Sequence, residues 1–341
     1  MTTPPGLDLA RLAAHLRDKA PGLVAEPLHA ELIAGGRSNL TYVLNEVFVL
    51  RRPPLGHVLA TAHDMAREHR IISALGPTPV PVPEALLLCE DDSVIGAPFY
   101  LMSRVPGVVL RSRRQTDQLG EQARREVAFA MMDTLAGLHR VDPAGVGLAD
   151  FGRPEGFLER QVRRWSKQLA QSASRDLPDA ETLRDRLAAG IPASAATAIV
   201  HGDYRLDNLI VDPATMRVAA VLDWEMATLG DPLTDLGLLL AYWTVLDRLK
   251  VGINPIADGL GADAGFPTGD ALLERYAASS PLPLDDLHWY VAMACYKLAV
   301  ILEGIHFRYT SGQTVGAGFD QIGTLVPPLL AQGLAAINGE S

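Results

Sequence analysis

The stretch that decides the fold of this chain is His201-Gly202-Asp203-Tyr204-Arg205-Leu206-Asp207-Asn208. Fifteen residues after Asn208, an apolar run ends in Asp223. Phosphoryl transfer needs one carboxylate to orient the attacking hydroxyl and oxygen ligands to hold Mg²⁺ against a triphosphate. Asp203, Asn208 and Asp223 are the residue types that suit these tasks. The stretch therefore predicts a catalytic and metal-binding core for phosphoryl transfer.

Composition predicts a globular protein with two lobes. The chain has 341 residues, 48% of them hydrophobic and 21% charged. This is enough apolar material for a sizeable core, and the length exceeds what one small core requires.

The charge and cysteine content narrow the class of protein. A net charge of −10 argues against nucleic acid as a partner, because phosphate neutralisation needs a positive field. The two cysteines, Cys89 and Cys295, are too few for a disulfide framework and are expected in the core, in a reducing compartment. The N-terminus lacks a signal-peptide pattern, and no uninterrupted apolar stretch is long enough to span a bilayer. We expect a soluble, cytoplasmic protein without a membrane partner.

The N-terminal part alternates between helical and strand patterns. Helical spacing predicts helices over 7–19 and 60–75, and period-two alternation predicts strands between 28 and 52 with a break at Asn45-Glu46. Strands are also predicted over 85–89 and 98–102. The last runs into Ser103-Arg104-Val105-Pro106-Gly107, which marks the boundary between an N-terminal lobe of 1–104 and a C-terminal lobe of 105–341.

The C-terminal part is mostly helical. The predicted helices span 116–140, 156–171, 179–189, 232–248, 268–278, 284–308 and 318–336. Short apolar runs at 199–200, 209–211 and 218–222 predict strands that bracket the opening stretch. Strand ends and loops then carry the polar residues, as is common for catalytic groups. The pattern predicts an α+β fold, with a small antiparallel N-terminal sheet plus helix and a larger, mainly helical C-terminal lobe.

The order of these motifs resembles a known family. A glycine-containing turn, a basic residue on the third strand, a helix glutamate, a Pro-Gly hinge, His-Gly-Asp-x4-Asn and an apolar strand ending in Asp are similar to the aminoglycoside phosphotransferase and choline-kinase-like branch of the protein-kinase fold. His-Gly-Asp-Tyr-Arg-Leu-Asp-Asn and Leu-Asp-Trp-Glu most resemble the subgroup associated with acyl-CoA dehydrogenases. The resemblance implies a two-lobed kinase that uses ATP and Mg²⁺.

The resemblance also implies roles for the opening motif. Asp203 would accept the proton of the substrate hydroxyl, and Asn208 and Asp223 would hold Mg²⁺. The alternative is that the polar residues of the motif are turn formers that bond to local backbone, which we weigh most heavily for Asp207. His201 is expected to brace the loop by hydrogen bonding.

Arg205 has two open interpretations. Many kinases of this fold carry a lysine at this position that touches the transferred phosphoryl group, and a guanidinium could stabilise the same charge. The other interpretation is an ion pair with an acidic neighbour that braces the loop. We assign it to the catalytic set with Asp203.

A nucleotide-binding set follows by position in the family pattern. The turn that contains Gly35, Gly36, Ser38 and Asn39 is one candidate phosphate cradle, although a two-glycine turn is often an ordinary hairpin connection. Arg51 occupies the place of the family's strand lysine and would bridge the phosphates and Glu68, with Arg52 as a competing assignment on the opposite strand face. The carbonyl of Ser103 and the amide of Val105 would pair with adenine.

Three other acidic residues have expected structural or secondary roles. Asp231 precedes proline and is expected to cap the following helix. Asp235, one turn later, is expected to accept amide hydrogen bonds from the catalytic loop. Glu225 is a further candidate metal ligand, but a pairing with a nearby basic residue is favoured.

The basic stripe of Arg160, Arg163, Arg164 and Lys167 occupies one helix face at i, i+3, i+4 and i+7. It is either a solvated face paired with nearby glutamates or part of the acceptor cleft. In the cleft it would favour an anionic acceptor over a polycationic antibiotic, because opposite charges attract.

The sequence thus predicts an ATP- and Mg²⁺-dependent kinase for the hydroxyl of a small molecule. By family context the acceptor is a hydroxyacyl-CoA or hydroxy acid, with a functional association with an acyl-CoA dehydrogenase. Two alternatives remain open at this point: an aminoglycoside or antibiotic phosphotransferase, and a catalytically degenerate nucleotide-binding module.

Overall fold

The computed structural model describes residues 4–23, 27–33, 39–55, 63–172, 174–194, 196–246, 261–312 and 319–340. Cα proximity divides the chain into two compact units. The first contains Met1–Gly107 together with Ala219–Glu225, and the second contains Val108–Val218 and Met226–Ser341. A short segment that includes Asp223 therefore belongs with residues that precede it by more than a hundred positions.

The first unit contains an antiparallel five-stranded sheet. Its strands are β1 (Ala30–Leu32), β2 (Leu40–Leu44), β3 (Phe48–Arg52), β4 (Ala85–Cys89) and β5 (Phe99–Ser103), with the spatial order β1-β2-β3-β5-β4. The helices of this unit are α1 (Leu9–Lys19) and α2 (Met65–Leu75). The strand pattern and the family resemblance correctly predicted this α+β arrangement, although 60–62 of the second predicted helix lie outside the described residues.

The turn between β2 and β3 sets the register of the sheet. Asn45 and Glu46 both have positive φ, 46° and 61°, as a two-residue hairpin turn with the right twist requires. Leu44 consequently pairs with Phe48, and Tyr42 pairs with Leu50. Because side chains alternate along a strand, Leu50 faces the core while Arg51 faces the other side of the sheet.

Aspartates begin both helices of the first unit. Asp8 accepts a hydrogen bond from the Arg11 amide at 3.0 Å, and Asp64 accepts one from the Arg67 amide at 2.9 Å. Such caps satisfy amides that have no partner in the first helical turn. The cap at Asp64 fixes the start of α2 and so places Glu68 on its first turn.

The second unit is mainly helical. Its helices are α3 (Arg113–Thr116), α4 (Glu121–His139), α5 (Phe157–Ser172), α6 (Pro178–Ala189), α7 (Leu233–Leu240), α8 (Gly269–Ser279), α9 (Leu287–Thr310) and α10 (Val326–Ile337). The short strands of the chain's second half are β6 (Ala198–Val200), β7 (Leu209–Val211), β8 (Val218–Val221) and β9 (Thr228–Gly230). β6 pairs antiparallel with β9, so that residues 201–208, the predicted catalytic loop and called the catalytic loop below, begin at a strand end.

The predicted helix over 232–248 differs from the observed one in its start and in its winding. The helix begins at Leu233, one residue later than predicted. Asp231 accepts a hydrogen bond from the Leu233 amide at 3.0 Å. After Leu240 the backbone continues as a π-helix over Ala241–Leu246. A π turn carries an extra residue, which the apolar periodicity of this segment does not report.

Helix α9 is the long central helix of the second unit. It packs against α5, α6, α7 and α10. Among the described residues it is the one helix long and apolar enough to cross a membrane by length and composition, with 67% of its most apolar window buried inside the fold. This apolar stretch was not expected from the sequence. Its burial among four helices accounts for its composition.

Candidate active site

Arg51 is the centre of a charged cluster in the first unit. Its Nε lies 3.0 Å from Glu68 Oε2, its Nη2 pairs closely with Asp223 Oδ1, and the same nitrogen lies 3.7 Å from Glu225 Oε2. Burial alone would lower the pKa of this guanidinium, but Glu68, Tyr100 and Asp223 raise it. Arg51 therefore keeps its charge beside three carboxylates.

Glu68 is the most buried carboxylate of this cluster, with 2% of its surface exposed. Tyr100 donates its hydroxyl to Oε2 at 3.0 Å, and Asn39 donates its amide to Oε1 at 3.1 Å. Burial raises the pKa of Glu68, and the charge of Asp223 acts in the same direction, whereas Arg51 opposes both. The expected pairing of Arg51 with Glu68 is thus present.

Asp223 is held in an unusual backbone conformation. Its φ is +65°, in the left-handed region, which few residues other than glycine adopt and which aspartate adopts more readily than most. β8 leads into it, and the Val221 amide donates to the Pro81 carbonyl at 2.8 Å. The side chain is 31% exposed. The turn after β8 therefore presents a partly exposed carboxylate.

Arg52, the competing assignment, lies on the other face of β3. Its guanidinium donates to the Gly6 carbonyl and, at 2.9 Å, to the Ile95 carbonyl. It therefore joins backbone segments of the core, and Arg51 is the arginine of the charged cluster.

Of the other residues predicted to bind the nucleotide, the structure describes Asn39, Ser103 and Val105. Gly35, Gly36 and Ser38 lie outside the described residues. Asn39 is buried, and its side chain donates to Glu68 and to Glu225, which accepts at 3.1 Å. Ser103 ends β5, and Val105 follows it with a partly buried side chain.

Asp235 holds the catalytic loop of the second unit in place. The two oxygens of the Asp235 carboxylate accept hydrogen bonds from the backbone amides of His201 and Gly202, both at 2.7 Å. His139 contributes a third contact, with Nε2 at 3.3 Å from Oδ2. Gly202 has φ +84°, and a Cβ there would lie 2.8 Å from the Met226 carbonyl oxygen. The predicted brace by Asp235 is confirmed, and the loop requires glycine at this position.

Asp203 projects from this loop with both carboxylate oxygens engaged. Asn208 donates Nδ2 to Oδ2 at 3.1 Å and to the Asp203 backbone carbonyl at 2.9 Å. Tyr242 donates its hydroxyl to Oδ1 at 3.3 Å. His201 accepts the Asp203 amide on Nδ1 at 3.2 Å, which is the bracing contact expected of it. The carboxylate is oriented yet 30% exposed.

Arg205 pairs with Asp207, with Nη2 at 2.7 Å from Oδ2. Its Nε lies 3.6 Å from Asp203 Oδ2, and its guanidinium carbon lies 4.9 Å from the centroid of the Tyr242 ring. Burial raises the pKa of Asp207, and Arg205 counteracts this. The ion pair between Arg205 and Asp207 is the loop-bracing contact of the second interpretation. Asp207 therefore has a structural role in the loop.

Comparison with known proteins shows the family to which the chain belongs. Residues 29–272 match the model of the phosphotransferase enzyme family. The chain belongs to this family. The mouse protein named acyl-CoA dehydrogenase family member 10 is 38% identical over 296 residues, which are 85% of this chain and 27% of the mouse protein. The chicken family member 11 is 34% identical over 344 residues, 96% of this chain and 43% of that protein. The chain thus spans less than half the length of these relatives.

Solved structures place this phosphotransferase in the kinase-like fold. A protein from Ralstonia eutropha JMP134 classed as an aminoglycoside phosphotransferase is 33% identical, with a TM-score of 0.82 over 97% of this chain and 98% of its own. The ternary complex of APH(2″)-IIa with streptomycin and ATP has a TM-score of 0.59 at 16% identity and covers 99% and 97% of the two chains. The predicted fold and the similarity to the subgroup associated with acyl-CoA dehydrogenases are both confirmed.

The donor atoms of this phosphotransferase suit a magnesium ion. Both N–H groups of the Asn208 amide are used on Asp203, so its carbonyl oxygen is the atom left for a ligand. Asp223 contributes a partly exposed carboxylate. Across the described residues, no group of three or more His, Cys, Asp or Glu side chains converges as a metal cage. Mg²⁺ commonly takes only one or two protein ligands and completes its shell with phosphates and water, so each of these two side chains is of a type that fits the ion.

The basic stripe lies on α5 and consists of Arg160, Arg163, Arg164 and Lys167. The last three are exposed, and Arg160 donates to the backbone carbonyls of Arg153 and Glu155. Arg163 Nε lies 3.4 Å from the Glu159 carbonyl oxygen. These contacts agree with the solvated-face interpretation.

Sequence inspection missed two residues near Asp203. Lys297 of α9 donates to the Gly202 carbonyl at 2.7 Å and lies 5.6 Å from the Trp165 ring centroid. Burial lowers its pKa. A single lysine within an apolar helix was the available signal. Tyr242 gave no comparable signal, because it lies in a run that is typical of core.

Proposed function

We propose that this chain is a magnesium-dependent kinase that transfers the γ-phosphate of ATP to a hydroxyl group of a small acyl-type acceptor. The observation that carries the proposal is Asp203, a partly exposed carboxylate held by Asn208 and Tyr242 on a loop that Asp235 fixes. A rigidly oriented carboxylate of this kind suits the removal of a proton from an attacking hydroxyl.

The transfer step balances with Asp203 as the proton acceptor. The acceptor oxygen forms a bond to the γ-phosphorus while the bond from that phosphorus to the β,γ-bridging oxygen breaks and ADP leaves. The hydroxyl proton passes to the Asp203 carboxylate and then to solvent. In this proposal Asn208 and Asp223 bind magnesium, which would neutralise charge on the phosphates.

Arginines would stabilise the remaining phosphate charge. Arg51, kept cationic by its neighbours, is proposed to contact the nucleotide phosphates from β3, with Glu68 as its anchor. Arg205 is proposed to approach the transferred group, with Asp207 holding its guanidinium. The turn of Gly35, Gly36, Ser38 and Asn39 is proposed as the phosphate cradle, and Ser103 and Val105 as the backbone partners of adenine.

The names of the relatives support an acyl-type acceptor. They are called acyl-CoA dehydrogenase family members, and this chain matches only part of their length. We propose a hydroxyacyl-CoA or a hydroxy acid as acceptor, in functional association with such a dehydrogenase. An aminoglycoside is the competing acceptor, since the structural relatives include aminoglycoside kinases.

The test is an ADP-release assay with MgATP over hydroxyacyl-CoAs, hydroxy acids, sugars and aminoglycosides. We expect turnover with at least one acyl compound, and a loss of about 10³-fold or more in Asp203→Asn with ATP affinity retained, because the carboxylate acts on the acceptor. Asp212→Asn changes a half-buried turn aspartate of the same unit and should keep full activity.

Two outcomes would contradict the proposal. Turnover with aminoglycosides and none with acyl compounds would make the chain an antibiotic kinase. ATP binding without turnover against every acceptor would make it a nucleotide-binding module.

A further inference from the structure

The two oxygens of the Asp203 carboxylate have different surroundings. Oδ2 accepts the Asn208 amide at 3.1 Å and lies 3.6 Å from the Arg205 Nε. Oδ1 accepts the Tyr242 hydroxyl at 3.3 Å. Oδ2 therefore has two nitrogen groups of the catalytic loop beside it. Oδ1 accepts one longer bond from a neutral donor and keeps a second lone-pair direction for another hydroxyl.

Tyr242 contacts two residues of the catalytic loop at once. Its hydroxyl binds Asp203, and the guanidinium of Arg205 lies 4.9 Å from its ring centroid, within the range of a cation–π contact. Burial and the charge of Asp203 raise the pKa of Tyr242, so it remains a protonated donor at neutral pH. One side chain therefore restrains both the carboxylate and the guanidinium.

The backbone that carries Tyr242 is irregular in a way that is typical of functional sites. It lies in the π-helix Ala241–Leu246, and π turns are concentrated at such sites. The next residue, Trp243, donates its indole N–H to the Pro267 carbonyl at 2.9 Å and packs edge-on against Phe266. The core thus anchors the turn on one side while Tyr242 reaches Asp203 on the other.

We propose that Tyr242 is a positioning residue for phosphoryl transfer, which holds Asp203 so that Oδ1, and not Oδ2, receives the proton of the acceptor hydroxyl. This inference rests on the proposed kinase function. The O–H bond of the acceptor breaks, an Oδ1–H bond forms, and the acceptor oxygen bonds to the γ-phosphorus as ADP leaves. Tyr242 keeps its own proton throughout and acts only by orientation.

The test compares three variants with the wild-type protein in the acceptor assay. Tyr242→Phe removes the hydroxyl and keeps the ring under Arg205, whereas Tyr242→Ala removes both. Tyr296→Phe is the matched control, because its hydroxyl contacts Ser166 at 3.4 Å and has no contact with Asp203. Affinity for ATP and circular dichroism report whether each variant is folded.

We expect kcat to fall about 10-fold or more in Tyr242→Phe, since small losses of alignment at a reacting centre are costly, while the KM for ATP changes less than twofold. Tyr242→Ala should lose more, and Tyr296→Phe should match the wild type. An unchanged kcat in Tyr242→Phe, with active wild-type protein, would overturn the role of Tyr242 alone. An inactive wild-type protein would overturn the proposed function and this inference together.

Discussion

At the scale of single residues, Arg51 is the most consequential departure from the lysine common in this fold. A lysine offers a compact charge, whereas the planar guanidinium reaches several carboxylates at once. Arg51 uses this shape to contact Glu68, Asp223 and Glu225. The proposed nucleotide-binding cation and a proposed metal ligand are therefore directly linked within the first unit.

The replacement Arg51→Met should lower the free energy of unfolding by about 3 kcal/mol, because it leaves the buried Glu68 carboxylate without its cation. Arg104→Met is the control: Arg104 is exposed and donates to the Glu46 carbonyl at 3.0 Å. Urea unfolding measures both. The double variant Arg51→Met/Glu68→Gln should recover part of the loss. Equal stability of the two single variants would disprove the pairing.

At the scale of elements, the contact of α7 with α9 determines where the catalytic loop is braced. Asp235 lies on α7, so any displacement of this helix moves the acceptor of the His201 and Gly202 amides. The helix approaches α9 at Gly237. A Cβ built at Gly237 would lie 2.6 Å from the Tyr290 carbonyl carbon, which is backbone and cannot rotate away.

Two Gly→Ala variants distinguish the effect of the close contact between α7 and α9 from the effect of the higher helix propensity of alanine. Gly237→Ala should destabilise the protein by about 1–3 kcal/mol, as overpacking does, and should reduce turnover by shifting Asp235. Gly137→Ala, in α4, meets no atom within 4 Å and should be neutral or stabilising by about 0.5–1 kcal/mol. Thermal unfolding with parallel activity assays measures both effects. A stabilising Gly237→Ala would show that the helices separate without cost.

At the scale of the whole molecule, the excess of acidic over basic residues makes the dependence of stability on pH a useful measurement. The chain carries 40 Asp and Glu residues, and among them Asp235 joins α4, α7 and the catalytic loop. Burial alone would raise the pKa of Asp235. The hydrogen bond and charge of His139, the charge of His201 and the Gly202 amide outweigh burial and lower it.

An aspartate whose pKa is lowered by folding contributes stability above its unfolded pKa of about 3.9, and this contribution is lost as the pH falls through the lower folded value. The wild-type protein should therefore lose stability below about pH 4. Asp235→Asn should be less stable than the wild type at pH 7, and the gap should narrow towards pH 3. Urea unfolding across pH 3–7 measures the gap. A gap independent of pH would mean that the carboxylate charge is not what stabilises the loop.

The sequence determined the reaction class and most of the elements. Local patterns carried this information: apolar periodicity for the helices, alternation and the Asn45-Glu46 break for the hairpin, and the spacing from Asp203 to Asn208 for the loop. These features depend on neighbours within a few residues, and the family resemblance added their order. Asp235 was also predictable, because its distance from a strong helix start placed it in the first turn of the helix that is α7.

Only the tertiary structure decided which distant residues share a contact. It assigned Arg51, not Arg52, to the charged cluster, because hairpin register sets the strand face. It placed the segment of Asp223 with the first unit, and it brought Tyr242 and Lys297 to the catalytic loop. In the sequence these last two lie in apolar runs typical of core. Their polar atoms acquire a role only when helix packing and a π turn place them beside Asp203 and Gly202.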